Sequence, residues 1–308
     1  MLITDAAVQP QVTVDVWSDV QQLLEFPFMQ NAFKAGTIVA VVAGLIGYYM
    51  VLRGQSFAGH TLSQIGFPGA AGAALVGIPP VAGLLLFCVA GACGIAALST
   101  GGGEGRAAPA AIGSVLAFAS ALGFLFASLY QGFVGGVYAF LFGTFIGISD
   151  SQVIILLVAA VLAVAGLAAV ARPLLFASVD PDVAAARGVP VRALSVGFLI
   201  LMGLAVAESA QITGTLLVFA LLVTPAATAH QLTGRPAAGA AISVMLAVAF
   251  VWLGLSVAYF TAYPVGFLVT TIAFAAYLVA RLTRWGRMVA GRRPGRASTH
   301  AGAAVVGR

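Results

Sequence analysis

Residues 37–52 and 153–171 contain no ionisable side chain other than Tyr48 and Tyr49, and each run approaches the ~20 apolar residues that cross a ~30 Å hydrocarbon core. Runs of this kind leave few folds open. Inside a bilayer every backbone N–H and C=O must be paired within the protein, which restricts the chain to helices or a closed β-barrel. The barrel pattern, alternating strands of about ten residues, is absent. Composition points the same way: 7% of the 308 residues are charged, against roughly 25% in a soluble domain. The expected fold is therefore all-α, a polytopic transmembrane helical bundle.

Apolar periodicity and breaks place about nine spans, near 33–52, 56–76, 81–99, 109–129, 152–171, 193–210, 212–232, 237–259 and 265–282. Segment 133–148 is glycine-rich and short, and is read as re-entrant. If it does not cross, then Arg53, Arg106, the 172–192 loop, Arg235 and the C-terminal arginines all fall on one side. Lys and Arg mark the cytoplasmic side, so the N-terminus is outside and the C-terminus in the cytoplasm. Three parts follow: a polar extracytoplasmic extension (1–31), a transmembrane domain (32–284) and an arginine-rich cytoplasmic tail (285–308) expected to be disordered. The extension holds four acidic residues and no Lys or Arg, the wrong charge for the start of a cleaved signal peptide. The net charge of +5 reports orientation and attraction to anionic membrane lipid, with no nucleic-acid partner implied.

Against this apolar background the polar exceptions carry the information. His60 and Gln64 lie four residues apart, on one helix face inside a span. An intramembrane imidazole is either a ligand on an ion path or a histidine bonded to a backbone carbonyl, Ser63 or Gln64. At about 1.5 Å per residue, His60 sits ~10 Å in from Arg53. Glu208, beside Ser209, Gln211 and Thr213, either draws a cation at the outer mouth or reaches water from the end of its span. His230 reads as an interfacial histidine, and Pro225 as a kink that frees a carbonyl. Lys34 is the only lysine, so no phosphate-binding G-x-x-x-x-G-K-[ST] loop exists and the chain has no ATPase motif of its own.

The 172–192 loop contains a short bounded helix. Asp180 suits the N-cap, Pro181 the first helical position and Asp182 the positive dipole end, while Arg187 suits the negative end and Gly188 the left-handed cap. Such an element is either a helix lying at the membrane surface or a rigid knob for a cytoplasmic partner.

Four segments, in order, resemble the permease subunits of metal-ion ATP-binding-cassette importers, the ABC-3 family that carries zinc and manganese. Gly59-His60-Thr61-Leu62-Ser63-Gln64-Ile65-Gly66-Phe67-Pro68-Gly69 is similar to its G-D-x-L-S-H-x-x-x-P-G signature, and Ala139-Phe140-Leu141-Phe142-Gly143-Thr144 to its Y-L-F-G-[SD] segment. The stretch from Asp180 through Ala185 and Gly188 resembles D-P-E-x-A-x-x-x-G-V, and that from Gly214 through Pro225 resembles G-x-L-L-V-x-A-L-L-x-x-P-A-A-T-A. The resemblance implies a type II importer-like permease that works as a homodimer. It also implies a cytoplasmic ATPase dimer docked on 180–188, an extracytoplasmic metal-binding protein, and Zn2+ or Mn2+ as transported ion with no permanently bound cofactor. Gly59, Pro68, Gly69, Gly214 and Pro225 are then candidates for packing or gating. Two positions depart from the signature: His60 stands where it has Asp, and Gln64 where it has His. An imidazole without a carboxylate favours zinc over manganese. A metal-chelate permease is the alternative in the same machinery, and a proton-coupled secondary transporter the alternative outside it.

Overall fold

The computed structural model describes residues 25–99, 109–130, 143, 147–261 and 263–291. All regular structure among them is helical. The helices are α1 (Pro27–Leu52), α2 (Ser56–Val76), α3 (Pro80–Leu98), α4 (Pro109–Leu129), α5 (Asp150–Val179), α6 (Pro181–Ala186), α7 (Val191–Leu232), α8 (Pro236–Phe260) and α9 (Val265–Gly291). Proline opens α1, α3, α6 and α8 at a position whose N–H has no helical partner anyway. Ser149 opens α5 with a capping box: its Oγ accepts from the Gln152 N–H while Gln152 Oε1 accepts from the Ser149 N–H.

Among the described residues seven helical stretches are long and apolar enough to cross a membrane: α1, α3, α4, α5, Val191–Thr215 of α7, α8 and Val265–Gly286 of α9. The two remaining expected spans are helical but differ. α2 has the length, at 21 residues, but Ser56, His60, Thr61, Ser63 and Gln64 dilute its apolar content. Leu217–Leu232 is apolar but shorter than the rest.

The bundle is organised around α7, which packs against α1, α2, α3, α5, α8 and α9, while α2 lies between α3, α4 and α7. Of the most apolar window, 61% is buried in α1 and in Val191–Thr215, against 22% in α4 and α5. The former pair is thus the centre and the latter the rim. Outward-facing Phe118, Phe124, Ile154 and Leu162 are what a lipid-solvated rim requires. At the centre, glycine lets backbones touch: a methyl group on Gly47 of α1 would collide with the Leu222 carbonyl of α7.

Several expected boundaries move. α1 starts at Pro27, so the last residues of the 1–31 extension are helical, with Met29 and Ala32 buried and Asn31 Nδ2 donating to the Ile148 carbonyl at 3.0 Å. α5 continues through Arg172 and Pro173 to Val179 because Leu174 and Ala177 find buried positions, which shortens the non-spanning loop. α9 runs to Gly291, past the expected limit at 284; the chain meets no proline before Pro294. The break expected near 211 falls at Gly214 instead (φ 76°, ψ 156°), while the backbone stays helical through Pro225. Of segment 133–148, expected to be re-entrant, only Gly143, Gly147 and Ile148 are within the described residues, and the 292–308 part of the tail lies outside them.

Candidate functional site: the α2–α7 seam and the α6 loop

The polar stripe of α2 faces α7. The ring of His60 meets Phe219 edge-on at 4.8 Å between centroids, and a methyl group on Gly66 would stand 3.3 Å from Thr215 Cγ2. Residues 60–66 therefore run alongside 219–215, antiparallel to the second half of α7. His60 is half-buried. Ser63 Oγ donates to its backbone carbonyl at 2.7 Å, whereas its ring Nδ1 is buried with no hydrogen-bond partner. Of the two readings of His60, the one with the ring satisfied by a neighbour is thus not what the geometry has. Gln64 lies one turn on and is half-buried.

Glu208 is 3% exposed and its Oε1 has no hydrogen-bond partner. α7 continues past it to Gly214, so Glu208 lies within the helix and not at its end. The same condition holds for Thr61 Oγ1, Thr215 Oγ1 and both side-chain polar atoms of Gln55, the N-cap position of α2. Unpaired buried polar atoms each cost about 1–3 kcal/mol. Their gathering on α2 and α7, in a chain this apolar, sets the seam apart from ordinary packing. Among the described residues no three His, Cys, Asp or Glu side chains are grouped to hold a metal, so one copy of the chain offers scattered donors and no closed coordination shell.

The seam is shaped by glycine and proline. Gly214 breaks α7 in a backbone region that essentially only glycine occupies, and Gly143 (φ 76°) sits directly on that break, 2.6 Å from a Cβ position to the Gly214 nitrogen. Sequence reasoning marked both glycines in separate motifs but had no means of joining them. Gly59 and Pro68 are buried in α2, and Gly69 meets Gly83 of α3 backbone to backbone. His230 is half-buried and stacks on Tyr48 at 4.5 Å, with Nε2 3.4 Å from the Tyr48 carbonyl oxygen.

α6 follows the expected plan. Asp180 Oδ1 accepts from the Val183 N–H at 3.0 Å, Pro181 is first in the helix, Asp182 lies in its first turn and Arg187 is the C-cap. Gly188 adopts φ 80° and Val189 N–H closes the end on the Ala184 carbonyl. Ala184 is fully buried, while Asp182, Val183, Ala185 and Arg187 are exposed, so one face anchors and the other projects.

One residue was read only as a topological charge. Arg53, the C-cap of α1, is 4% exposed, donates from Nη1 to Ser178 Oγ at 3.1 Å and from Nη2 to Ser195 Oγ at 2.7 Å, and lies 5.7 Å from the Phe198 ring centroid. Its position as the lone arginine between two expected spans was the available signal.

Comparison with known proteins agrees with this geometry. The manganese transport system membrane protein MntC of Halalkalibacterium halodurans is 28% identical over 214 residues, 70% of this chain and 73% of the relative. Its counterpart in Listeria innocua is 30% identical over 216 residues, 69% of this chain and 75% of the relative. Among solved structures, PsaBC from Streptococcus pneumoniae in complex with Fab superposes with a TM-score of 0.76 at 26% identity, covering 86% of this chain and 95% of that one. An inward-facing metal-chelate type ABC transporter shares the fold with a TM-score of 0.69 at 18% identity, covering 89% and 92%. Residues 25–284 match the ABC 3 transport family, and the chain belongs to that family of membrane permeases.

Proposed function

We propose that this chain is the permease subunit of an ATP-binding-cassette importer for a divalent transition metal ion, and that the ion passes along the α2–α7 seam. The observation that carries the reading is the set of buried, unpaired polar atoms at Gln55, His60, Thr61, Thr215 and Glu208, on two helices that pack together through His60 against Phe219 and Gly66 against Thr215. His60 supplies an imidazole nitrogen, Gln64 a neutral carbonyl and Glu208 the one carboxylate. Such a sparse set suits transient contact, since conduction needs binding weak enough to release the ion. Two copies related by an axis near α2 would double the donors.

The names of the relatives support manganese as cargo, and the imidazole of His60 supports zinc as the second reading. The cytoplasmic ATPase dimer docks on 180–188 through the projecting face of α6, and an extracytoplasmic metal-binding protein delivers the ion. Nine spans, with the N-terminus outside and the C-terminus in the cytoplasm, fit the charge pattern.

Reconstitution tests this reading. The chain, its ATPase and its binding protein together in vesicles should accumulate Mn2+ or Zn2+ only with ATP. Metal uptake by the chain alone, driven by a proton gradient, would instead make it a secondary transporter.

A further inference from the structure

We infer that Arg53 is the positioning residue that links the α6 docking helix to the metal path. The inference rests on the docking reading above.

Arg53 occupies the three-residue turn between α1 and α2, seven positions before His60. Its two donated hydrogen bonds reach the two stems of the α6 loop: Ser178 lies two residues before the Asp180 cap, and Ser195 lies in the opening turns of α7. The hydroxyl bookkeeping fixes the direction of these bonds. Ser178 Oγ–H donates to the Leu174 carbonyl and Ser195 Oγ–H to the Val191 carbonyl, so both oxygens are left to accept from the guanidinium.

A planar fork with rigid donors can hold both stems at once, which a single ammonium point charge cannot. The Arg53 side chain also lies over Phe198, one turn further along α7 from Ser195, so the fork is clamped on a third side. On the backbone side the turn is tight. Arg53 N–H bonds the Tyr49 carbonyl, Gln55 N–H the Met50 carbonyl, and Gly54 takes φ 67°. A shift of either stem of α6 is therefore passed through the guanidinium to the first turn of α2, and from there to His60. Here the physical link is a set of hydrogen bonds joining both stems of α6 to the α1–α2 turn, and not mere nearness.

The test uses Arg53→Gln and the pair Ser178→Ala with Ser195→Ala, each reconstituted with the ATPase subunits that co-purify with the unchanged chain. Metal accumulated and ATP hydrolysed are measured together, with Mn2+ or Zn2+ according to which the unchanged chain takes up. Both variants should keep the ATPase bound and hydrolysing while metal moved per ATP falls roughly tenfold, the size of a typical coupling between sites. Arg53→Lys should recover only part of the ratio. An unchanged ratio in Arg53→Gln overturns the inference. So does loss of the ATPase from that variant, which would make Arg53 a strut of the docking surface alone. Failure of the docking reading shows separately, in Ala185→Glu with Arg53 intact: continued co-purification and uptake there would remove the α6 contact itself.

Discussion

At α6 both helix ends are answered close by in sequence: Asp180 accepts from Val183, and the chain end closes through Gly188 and Val189 on Ala185 and Ala184. On α2, at its N-cap and on α7, Gln55, His60, Thr61, Glu208 and Thr215 each carry a buried polar atom without such an answer. The two regions have similar residue types and opposite treatment. Paired polar groups build a shape, and here the shape projects Val183 and Ala185 outward. Unpaired buried groups lower stability, so they persist where something other than the fold uses them. Under the proposed function, the contrast separates a docking surface at α6 from an ion path along α2 and α7.

Two positive-φ glycines, Gly188 and Gly214, offer the widest break in this comparison. Gly188 has φ 80° with open space around it, whereas Gly214 has φ 76° and ψ 156° and is covered by Gly143. Gly214→Ala should abolish uptake and cut the amount of folded chain in membranes several-fold, since a side chain in this essentially glycine-only backbone region adds strain of about 1–3 kcal/mol within a central helix. Gly188→Ala, at about 1–2 kcal/mol of left-handed strain alone, should leave most of the uptake in place. Equal losses would mean that the break in α7 is an ordinary cap.

Next in size comes Glu208→Gln, which keeps the shape of the side chain and removes its charge. Uptake should fall by roughly tenfold or more, as for loss of a charged ligand partner, with the ATPase still co-purifying. Unaltered uptake would exclude Glu208 from the path. His60→Ala follows at roughly tenfold, measured against His230→Ala, whose stacking on Tyr48 is worth only about 0.5–1.5 kcal/mol. If the two histidine variants lose uptake equally, His60 is a packing residue.

These pairs also mark what could be read in advance. α6 was legible to the residue, because N-caps, a first-position proline and a left-handed glycine act within one or two turns of chain. The apolar runs marked the long helices in the same local way, seven of them apolar and long enough to span among the described residues. Boundaries went astray where tertiary burial decided: Leu174 and Ala177 extend α5 past Arg172, and the buried end of α1 draws Pro27 into the helix. The seam was legible only as His60 and Glu208, taken singly. That Thr215 joins them, that Gly143 covers Gly214 and that Arg53 grips Ser178 and Ser195 are pairings across more than 60 positions, on which local pattern is silent.

The smallest effect belongs to the Asp180 cap, and it tests the contrast from the satisfied side. Asp180→Ala removes the acceptor of the Val183 N–H and should cost about 1 kcal/mol of local helix stability. Because α6 is only six residues long, that loss frays most of it, and the projecting face loses its fixed orientation. ATP-dependent uptake should fall a few-fold, about what 1 kcal/mol allows. Asp180→Asn keeps a side-chain oxygen in the same place and should restore uptake to within about twofold, since Asn caps nearly as well as Asp. If the Asn variant is as poor as the Ala variant, the carboxylate meets a partner charge directly. The cap would then belong with Glu208 among residues whose charge is used, and the division between the two regions would narrow to one of exposure.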